Sequence, residues 1–167
     1  MTEPAIRPAR TDDLAAMVAI YRPIVMETSI SFEIDPPGLE EFGRRFRAVT
    51  EGDPWMVAEV LGEAAGYAYA APFKSRAAYA STRETTVYVH RDHRSRGLGS
   101  LLLTSVLDHL SARGDHRAVA LISLPNPPSV VMHERLGFSH VGTLHEVGRK
   151  FDRWHDVGIW ELDLTRR

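Results

Sequence analysis

The chain has 167 residues and a mass of 18.7 kDa, which at roughly 100 to 200 residues per domain predicts a single domain over residues 1–167. Its 44% hydrophobic and 25% charged residues are a globular mixture, and 20 Lys and Arg against 22 Asp and Glu leave a formal charge of −2. That balance lacks the basic excess by which nucleic-acid binders collect phosphates, so no nucleic-acid partner is expected. There is no cysteine, which removes disulfides, thiolate metal sites and a cysteine acyl-enzyme. The longest apolar runs, such as Met56–Val60 and Leu101–Leu103, fall far short of the roughly 18 to 20 residues of a membrane span, so no membrane partner is expected. Met1 to Arg10 has no apolar h-region of a secretory signal, and the expected location is the cytoplasm.

In chain order, Ala5–Ala9 is a short extended segment, and Thr11-Asp12-Asp13 supplies a cap before Leu14, Met17, Val18 and Tyr21 recur at helical spacing. A polar and proline-containing stretch, Glu33 to Gly38, leads to a second amphipathic helix over Leu39–Val49, stopped by Gly52-Asp53-Pro54. Trp55–Leu61 and Gly66–Ala71 read as a hairpin with Gly62–Ala65 as its turn. Pro72–Arg83 has no period and is rich in Lys, Arg, Ser and Tyr, as an exposed loop would be. Thr85–Val89 is a β-branched and aromatic strand, and a basic turn joins it to a helix over Leu98–Leu110. A strand over Ala118–Ser123, a short helix over Pro128–Leu136 ended by Gly137, and strands over Ser139–Val147 and Trp154–Leu164 complete the chain. Hairpins followed by strand and helix alternation predict an α+β fold, a mixed and mostly antiparallel sheet flanked by helices.

The most informative segment is Val87-Tyr88-Val89-His90-Arg91-Asp92-His93-Arg94-Ser95-Arg96-Gly97-Leu98-Gly99-Ser100. Gly97 and Gly99 permit close backbone approach, and the free N–H groups of a helix N-terminus favour anions, so a phosphate could be held there by main chain with help from Arg94 and Arg96. Leu102 stands where a dinucleotide fingerprint needs its third glycine, and no G-x-x-x-x-G-K-[ST] loop occurs. On spacing alone, a basic helix-capping turn is the plain alternative.

Arg94-x-x-Gly97-x-Gly99 between a strand and a helix resembles the acetyl-CoA pyrophosphate loop of the GNAT acetyltransferase superfamily. Asn126 to Phe138, a short helix ending in Leu136-Gly137-Phe138, resembles its second signature. The likeness extends through Tyr67-Ala68-Tyr69-Ala70, Ser75 to Tyr79, Glu84 to Val89 and Trp154 to Gly158, and narrows to the phosphinothricin and methionine sulfoximine/sulfone acetyltransferase branch. The resemblance implies direct transfer of acetyl from acetyl-CoA, the cosubstrate, to a primary amine, with no metal. It places Val87, Tyr88 and Val89 along the pantetheine and acetyl, Arg94, Ser95, Arg96, Gly97, Leu98, Gly99 and Ser100 around the pyrophosphate, and Asn126 on the cofactor. It also implies a homodimer.

An α-amine with a reference pKa near 8 is mostly protonated at neutral pH, so the reaction needs a proton acceptor. Glu84, at the entrance of the cofactor strand, matches the branch's general base. A glutamate before a strand is otherwise usually solvent-facing. The backbone N–H around Val89 is the expected oxyanion donor. Many superfamily members carry a tyrosine where this chain has His133, and this histidine could protonate the leaving sulfur, assist the base or orient the amine. An amino acid with a carboxylate and a second polar head calls for cations and hydroxyls, for which Lys74, Arg76 and Tyr79 are the candidates. Phe32 and Val157 join them by similarity. Arg149, Lys150 and Arg153 read as surface, and the Trp154 and Trp160 region as a possible interface. His90-x-x-His93 lacks a metal framework, and His155-Asp156 has no G-x-S-x-G elbow to serve. Transfer to another primary amine and a non-catalytic acyl-CoA sensor remain the competing readings.

Overall fold

The computed structural model describes residues 4–167; the part of the N-terminal reading that concerns Met1, Thr2 and Glu3 lies outside the described residues. Seven strands, β1 (Ala5–Pro8), β2 (Trp55–Val60), β3 (Glu63–Pro72), β4 (Thr82–Val89), β5 (Arg117–Leu124), β6 (Ser139–Lys150) and β7 (Arg153–Asp163), form one sheet in the order β1-β2-β3-β4-β5-β7-β6. Four α-helices, α1 (Leu14–Glu27), α2 (Leu39–Thr50), α3 (Leu98–Arg113) and α4 (Pro127–Arg135), pack on it. Every strand pair is antiparallel except β4 with β5. The expected α+β architecture is therefore the observed one, and no helix among the described residues is long and apolar enough to cross a membrane.

The two faces of the sheet carry different cores. Leu98, Leu102, Leu103, Val106, Leu107 and Leu110 of α3 pack with Ala118, Ala120 and Ile122 of β5 and with Phe138 and Trp160. On the opposite face, α1 and α2 bury Met17, Ile20, Tyr21, Ile24, Phe42 and Phe46 against Trp55, Val57 and Tyr67. Strand alternation assigns β4 to both: Val87 and Val89 face α3, whereas Tyr88 packs with the α1 and α2 cluster. Trp160 is thus a core residue, which corrects its reading as part of an interface. Its ring belongs with Ile122 and Phe138, and its Nε1 donates to Glu134 Oε1 at 3.4 Å.

Turn geometry explains where strand boundaries depart from expectation. The β2–β3 turn is only Leu61-Gly62, both with positive φ (54° and 85°), so β3 starts at Glu63 and not at Gly66. Likewise, Phe151 and Asp152 (φ 51° and 55°) close a two-residue turn, so β6 continues to Lys150 and β7 starts at Arg153. An irregularity between Leu144 and Gly148 interrupts the period-two pattern that ended the sequence reading at Val147.

Gly66 sets the distance between α3 and the sheet: an added Cβ would stand 2.9 Å from the Tyr88 carbonyl oxygen and 3.2 Å from the Leu102 side chain. Gly66→Ala is expected to destabilise the protein by about 1–3 kcal/mol through overpacking, measured by urea denaturation.

Candidate functional site: the cleft between β4 and β5

Strands β4 and β5 pair over only three positions, Thr82 with Arg117, Arg83 with Ala118 and Glu84 with Val119. Beyond Glu84 they have no mutual register, while β4 stays paired with β3 as far as Val89. The His90 N–H is spent on the Ala65 carbonyl of β3. Alternation therefore turns the N–H groups of Val87 and Val89 toward the open side of β4. A gap in the middle of the sheet is lined by main-chain donors.

Two joined cavities occupy this gap. The first, of about 310 Å³, is lined by Glu84 to Tyr88, Ala120 to Ser123, Asn126, Ser129, His133 and Val157, with Ile30, Ser31 and Phe32 on the α1 and α2 side. The second, of about 510 Å³, is lined by Val87, Tyr88 and Val89, the turn from His93 to Ser100 except Arg96, and Met132 and Arg135 of α4. Val87, Tyr88, Asn126 and Ser129 line both. Arg96 lies on the exposed turn, outside the second cavity's wall.

The glycine turn is built to expose donors. Ser95 and Gly97 have positive φ (60° and 79°), which swings the chain into the first turn of α3 and leaves its leading N–H groups without helical partners. Gly99 sits against α4, where a Cβ would be 2.9 Å from Met132 Sδ. Arg94 Nε comes 3.5 Å from the Val89 carbonyl, so a cation, a helix N-terminus and the strand's free N–H groups converge on one channel. These residues fit a pyrophosphate at the turn and an extended arm along β4. Asn126 has a second duty, since its Oδ1 caps α4 by accepting the Ser129 N–H at 3.4 Å.

Burial tunes the two titratable side chains of the first cavity toward their neutral forms. It raises the Glu84 carboxyl above the ordinary 4.5, an effect that the nearby Lys74 cation opposes. His133 is 4% exposed, and burial lowers its imidazole below 6.5, partly offset by its bond to the Ser129 carbonyl. That bond, Nδ1 to Ser129 O at 2.8 Å, fixes the proton on Nδ1 and leaves the neutral ring its lone pair on Nε2.

The remaining sequence-expected residues divide into two groups. Phe32 and Val157 line the first cavity, but Lys74, Arg76 and Tyr79 do not. These three are exposed on the segment between β3 and β4, where Lys74 Nζ lies 4.9 Å from the Phe73 ring centre and Tyr79 packs edge-on to the same ring at 5.8 Å. Lys74 stays close enough to act on Glu84. His90 and His93 have ring centroids 5.9 Å apart, and no group of three or more His, Asp or Glu side chains converges among the described residues.

Sequence reasoning missed two residues. Ser123 was read only as the end of a strand, yet it lies in the first cavity's wall. Lys150 is 4% exposed and donates to the carbonyls of Val25 at 2.6 Å and Ser31 at 2.7 Å, which corrects its assignment to the surface. It ties the end of α1 and the following loop to the β6–β7 hairpin. Phe32, next in that loop, lies directly on Gly148, where any Cβ would strike its ring, and 6.0 Å from the His155 ring. The signal available in the sequence was the Gly148-x-Lys150 spacing before a two-residue turn, which places both on one strand face.

The comparisons agree with this geometry. Residues 6–159 match the acetyltransferase (GNAT) domain family. The chain belongs to the GNAT acetyltransferase family. Its relatives include a phosphinothricin N-acetyltransferase of Streptomyces viridochromogenes, 44% identical over 95% of this chain and 87% of the relative. An L-methionine sulfoximine/L-methionine sulfone acetyltransferase of Pseudomonas aeruginosa is 36% identical over 96% of this chain and 94% of its own. The crystal structure of a GNAT phosphinothricin acetyltransferase from Sinorhizobium meliloti in complex with acetyl-CoA superposes with a TM-score of 0.95 at 32% identity, covering 99% of this chain and 92% of that one.

The Lys150 tether has a measurable worth. Lys150→Met leaves two buried carbonyls without donors and is expected to cost about 1–3 kcal/mol in urea denaturation. Arg149→Met, on the exposed neighbour, should stay within about 0.5 kcal/mol of wild type.

Proposed function

We propose that this GNAT acetyltransferase moves the acetyl group of acetyl-CoA to the α-amine of a glutamate-like amino acid carrying a second polar head, such as methionine sulfone, methionine sulfoximine or phosphinothricin. The observation that carries the reading is the opening between β4 and β5, with a half-buried Glu84 at its closed end and donor-lined walls leading to the glycine turn. The names of the relatives at 36% and 44% identity support the acceptor class.

Acetyl-CoA brings an activated thioester to the amine. The chain's residues do the rest. The N–H groups of Val87 and Val89, free on the open side of β4, are placed to donate to the arm and to the oxygen on which negative charge builds. Glu84, as carboxylate, takes the proton whose loss turns the ammonium into a free amine. The C–N bond forms as the C–S bond breaks, the second nitrogen proton passes by way of solvent to the departing thiolate, and CoA leaves as the thiol. The tautomer of His133 supports a role as hydrogen-bond acceptor toward the amine and not as proton donor to the sulfur, because Nδ1–H is already spent on Ser129. Lys74, exposed and close enough to act on Glu84, and Arg76, exposed two residues further along the same segment, supply cations for the acceptor's carboxylate.

We also propose a homodimer. Val141, Leu144, Val147, Phe151 and Trp154 expose a row of large apolar side chains on β6, β7 and the turn between them, a surface that a second copy would cover.

Glu84→Gln is expected to lower kcat by roughly 10²- to 10⁴-fold, followed as thiol release from acetyl-CoA, with the affinity for acetyl-CoA unchanged. Because the base works ionised, kcat/KM of the wild type rises with pH through the raised Glu84 pKa, so the midpoint of the acid limb lies above 4.5. Lys74→Ala removes the cation that opposes the shift and should move this limb further up. An unmoved limb would take Glu84 out of the base role. Sedimentation or light scattering at twice the monomer mass, lost on Trp154→Glu, tests the dimer.

A further inference from the structure

Three buried side-chain polar atoms among the described residues have no hydrogen-bond partner: Trp55 Nε1, His93 Nδ1 and Ser123 Oγ. Trp55 belongs to an aromatic stack, 4.2 Å from the Tyr69 ring, and His93 lines the cavity of the glycine turn. Ser123 stands apart from both. It is 8% exposed and lies in the wall of the same cavity as Glu84 and His133. A buried hydroxyl is nearly always bonded, and one left open in a cavity wall marks a position at which a ligand atom completes it.

Its direction follows from the strand. Ile122 packs into the α3 core, so Ser123 faces the other side of β5, together with its register partner Val157. Glu84, Thr86 and Tyr88 of β4 face the same way, and Ile30 and Phe32 cover this side of the cavity. An amino acid entering from the α1 and α2 side therefore meets Glu84 and Ser123 on the walls of one cavity.

The charge of the wall restricts what can sit there. No Arg or Lys lines this cavity among the described residues, and its ionisable side chains are Glu84, Tyr88 and His133. Lys150, the buried cation behind the Ser31 carbonyl, is not in the cavity wall and donates to two carbonyls. A wall whose donors are neutral, with the unpartnered Ser123 hydroxyl beside Val157 and Leu121, matches an uncharged oxygen and leaves an anion without a countercharge.

We propose that Ser123 is a specificity-determining residue whose hydroxyl donates to an oxygen of an uncharged oxo head on the acceptor amino acid, a sulfone or sulfoximine, so that the site prefers these to an anionic phosphinate. The inference rests on the acceptor reading above and ranks the acceptors within it. The anionic carboxylate of each acceptor stays with Lys74 and Arg76.

The test compares wild type with Ser123→Ala on L-methionine sulfone, L-phosphinothricin and L-methionine, with methionine read as a substrate where it turns over and as a competitive inhibitor otherwise. In wild type, kcat/KM for the sulfone should exceed that for phosphinothricin by about tenfold or more. Ser123→Ala should lower the sulfone value about five- to tenfold, leave the binding of methionine and the KM for acetyl-CoA unchanged, and narrow the gap to phosphinothricin. Thermal melting provides a readout independent of activity: removing a hydroxyl with no partner should leave Tm at or above wild type. A lower Tm, an equal loss with all three compounds, a raised acetyl-CoA KM, or phosphinothricin matching the sulfone in wild type would each overturn the proposal. If wild type acetylates none of the oxo acids, the acceptor reading fails and this inference with it. If wild type acetylates them and Ser123→Ala behaves like wild type, only the inference about Ser123 fails.

Discussion

The parting of β4 from β5 after three paired residues is the constraint on which the rest of the molecule depends. A sheet interrupted in its middle exposes backbone donors that must find partners, and here they line a channel and are not covered by a neighbouring strand. The gap persists because each strand is held independently. On one side, β4 stays paired with β3 up to Val89, and on the other β5 pairs with β7 from Arg117 to Leu124. The α3 core reaches across both with a run of leucines, so the halves cannot close on one another. Gly66 lets that helix lie close to the sheet, and Gly99 lets it lie close to Met132 of α4.

The two faces of the sheet divide the labour. On the α3 and α4 side, the glycine turn presents N–H groups, and Arg94 and Arg135 line the same cavity, an arrangement suited to a phosphate-bearing arm. On the α1 and α2 side, the loop carrying Ile30, Ser31 and Phe32 covers the first cavity, held by Lys150 through two carbonyls. Side-chain contacts reinforce the loop: the Tyr21 and Ser31 hydroxyls are 2.6 Å apart, and the Tyr21 ring packs on that of Tyr88 with centroids 4.9 Å apart. The cofactor strand and this cover are therefore mechanically linked through side chains that take no part in the chemistry.

Desolvation supplies the chemistry's tuning. The same burial that excludes water moves Glu84 up and His133 down, bringing both nearer to neutrality. For Glu84 the nearby Lys74 cation works against this upward shift. For His133 the cost appears as acid sensitivity: a histidine buried neutral stabilises the fold above its unfolded pKa of about 6.5, and that contribution is lost as pH falls toward the lowered folded value.

Much of this was legible in the sequence because it depends on local order. Periodicity located the helices and most strands, and the glycine turn could be read as an anion site because a strand, two glycines and a helix start are neighbours in the chain. Glu84, His133 and the β4 valines carried over by motif for the same reason. The hairpin ends were misread where two-residue turns open on left-handed backbone at Leu61 and Phe151, residue types that give no turn signal. Only the tertiary structure decided the properties that require distant segments to meet. Lys150 looked like surface until two carbonyls from α1 and its loop, more than a hundred residues earlier, were found around its ammonium group. Trp160 reads as a possible interface until β5 and α4 enclose it, and Ser123 is an unremarked strand residue until β4 diverges and leaves its hydroxyl facing a cavity. Burial is a property of the assembled fold, whereas periodicity and motif order are properties of the chain, and the acceptor site is made of the former.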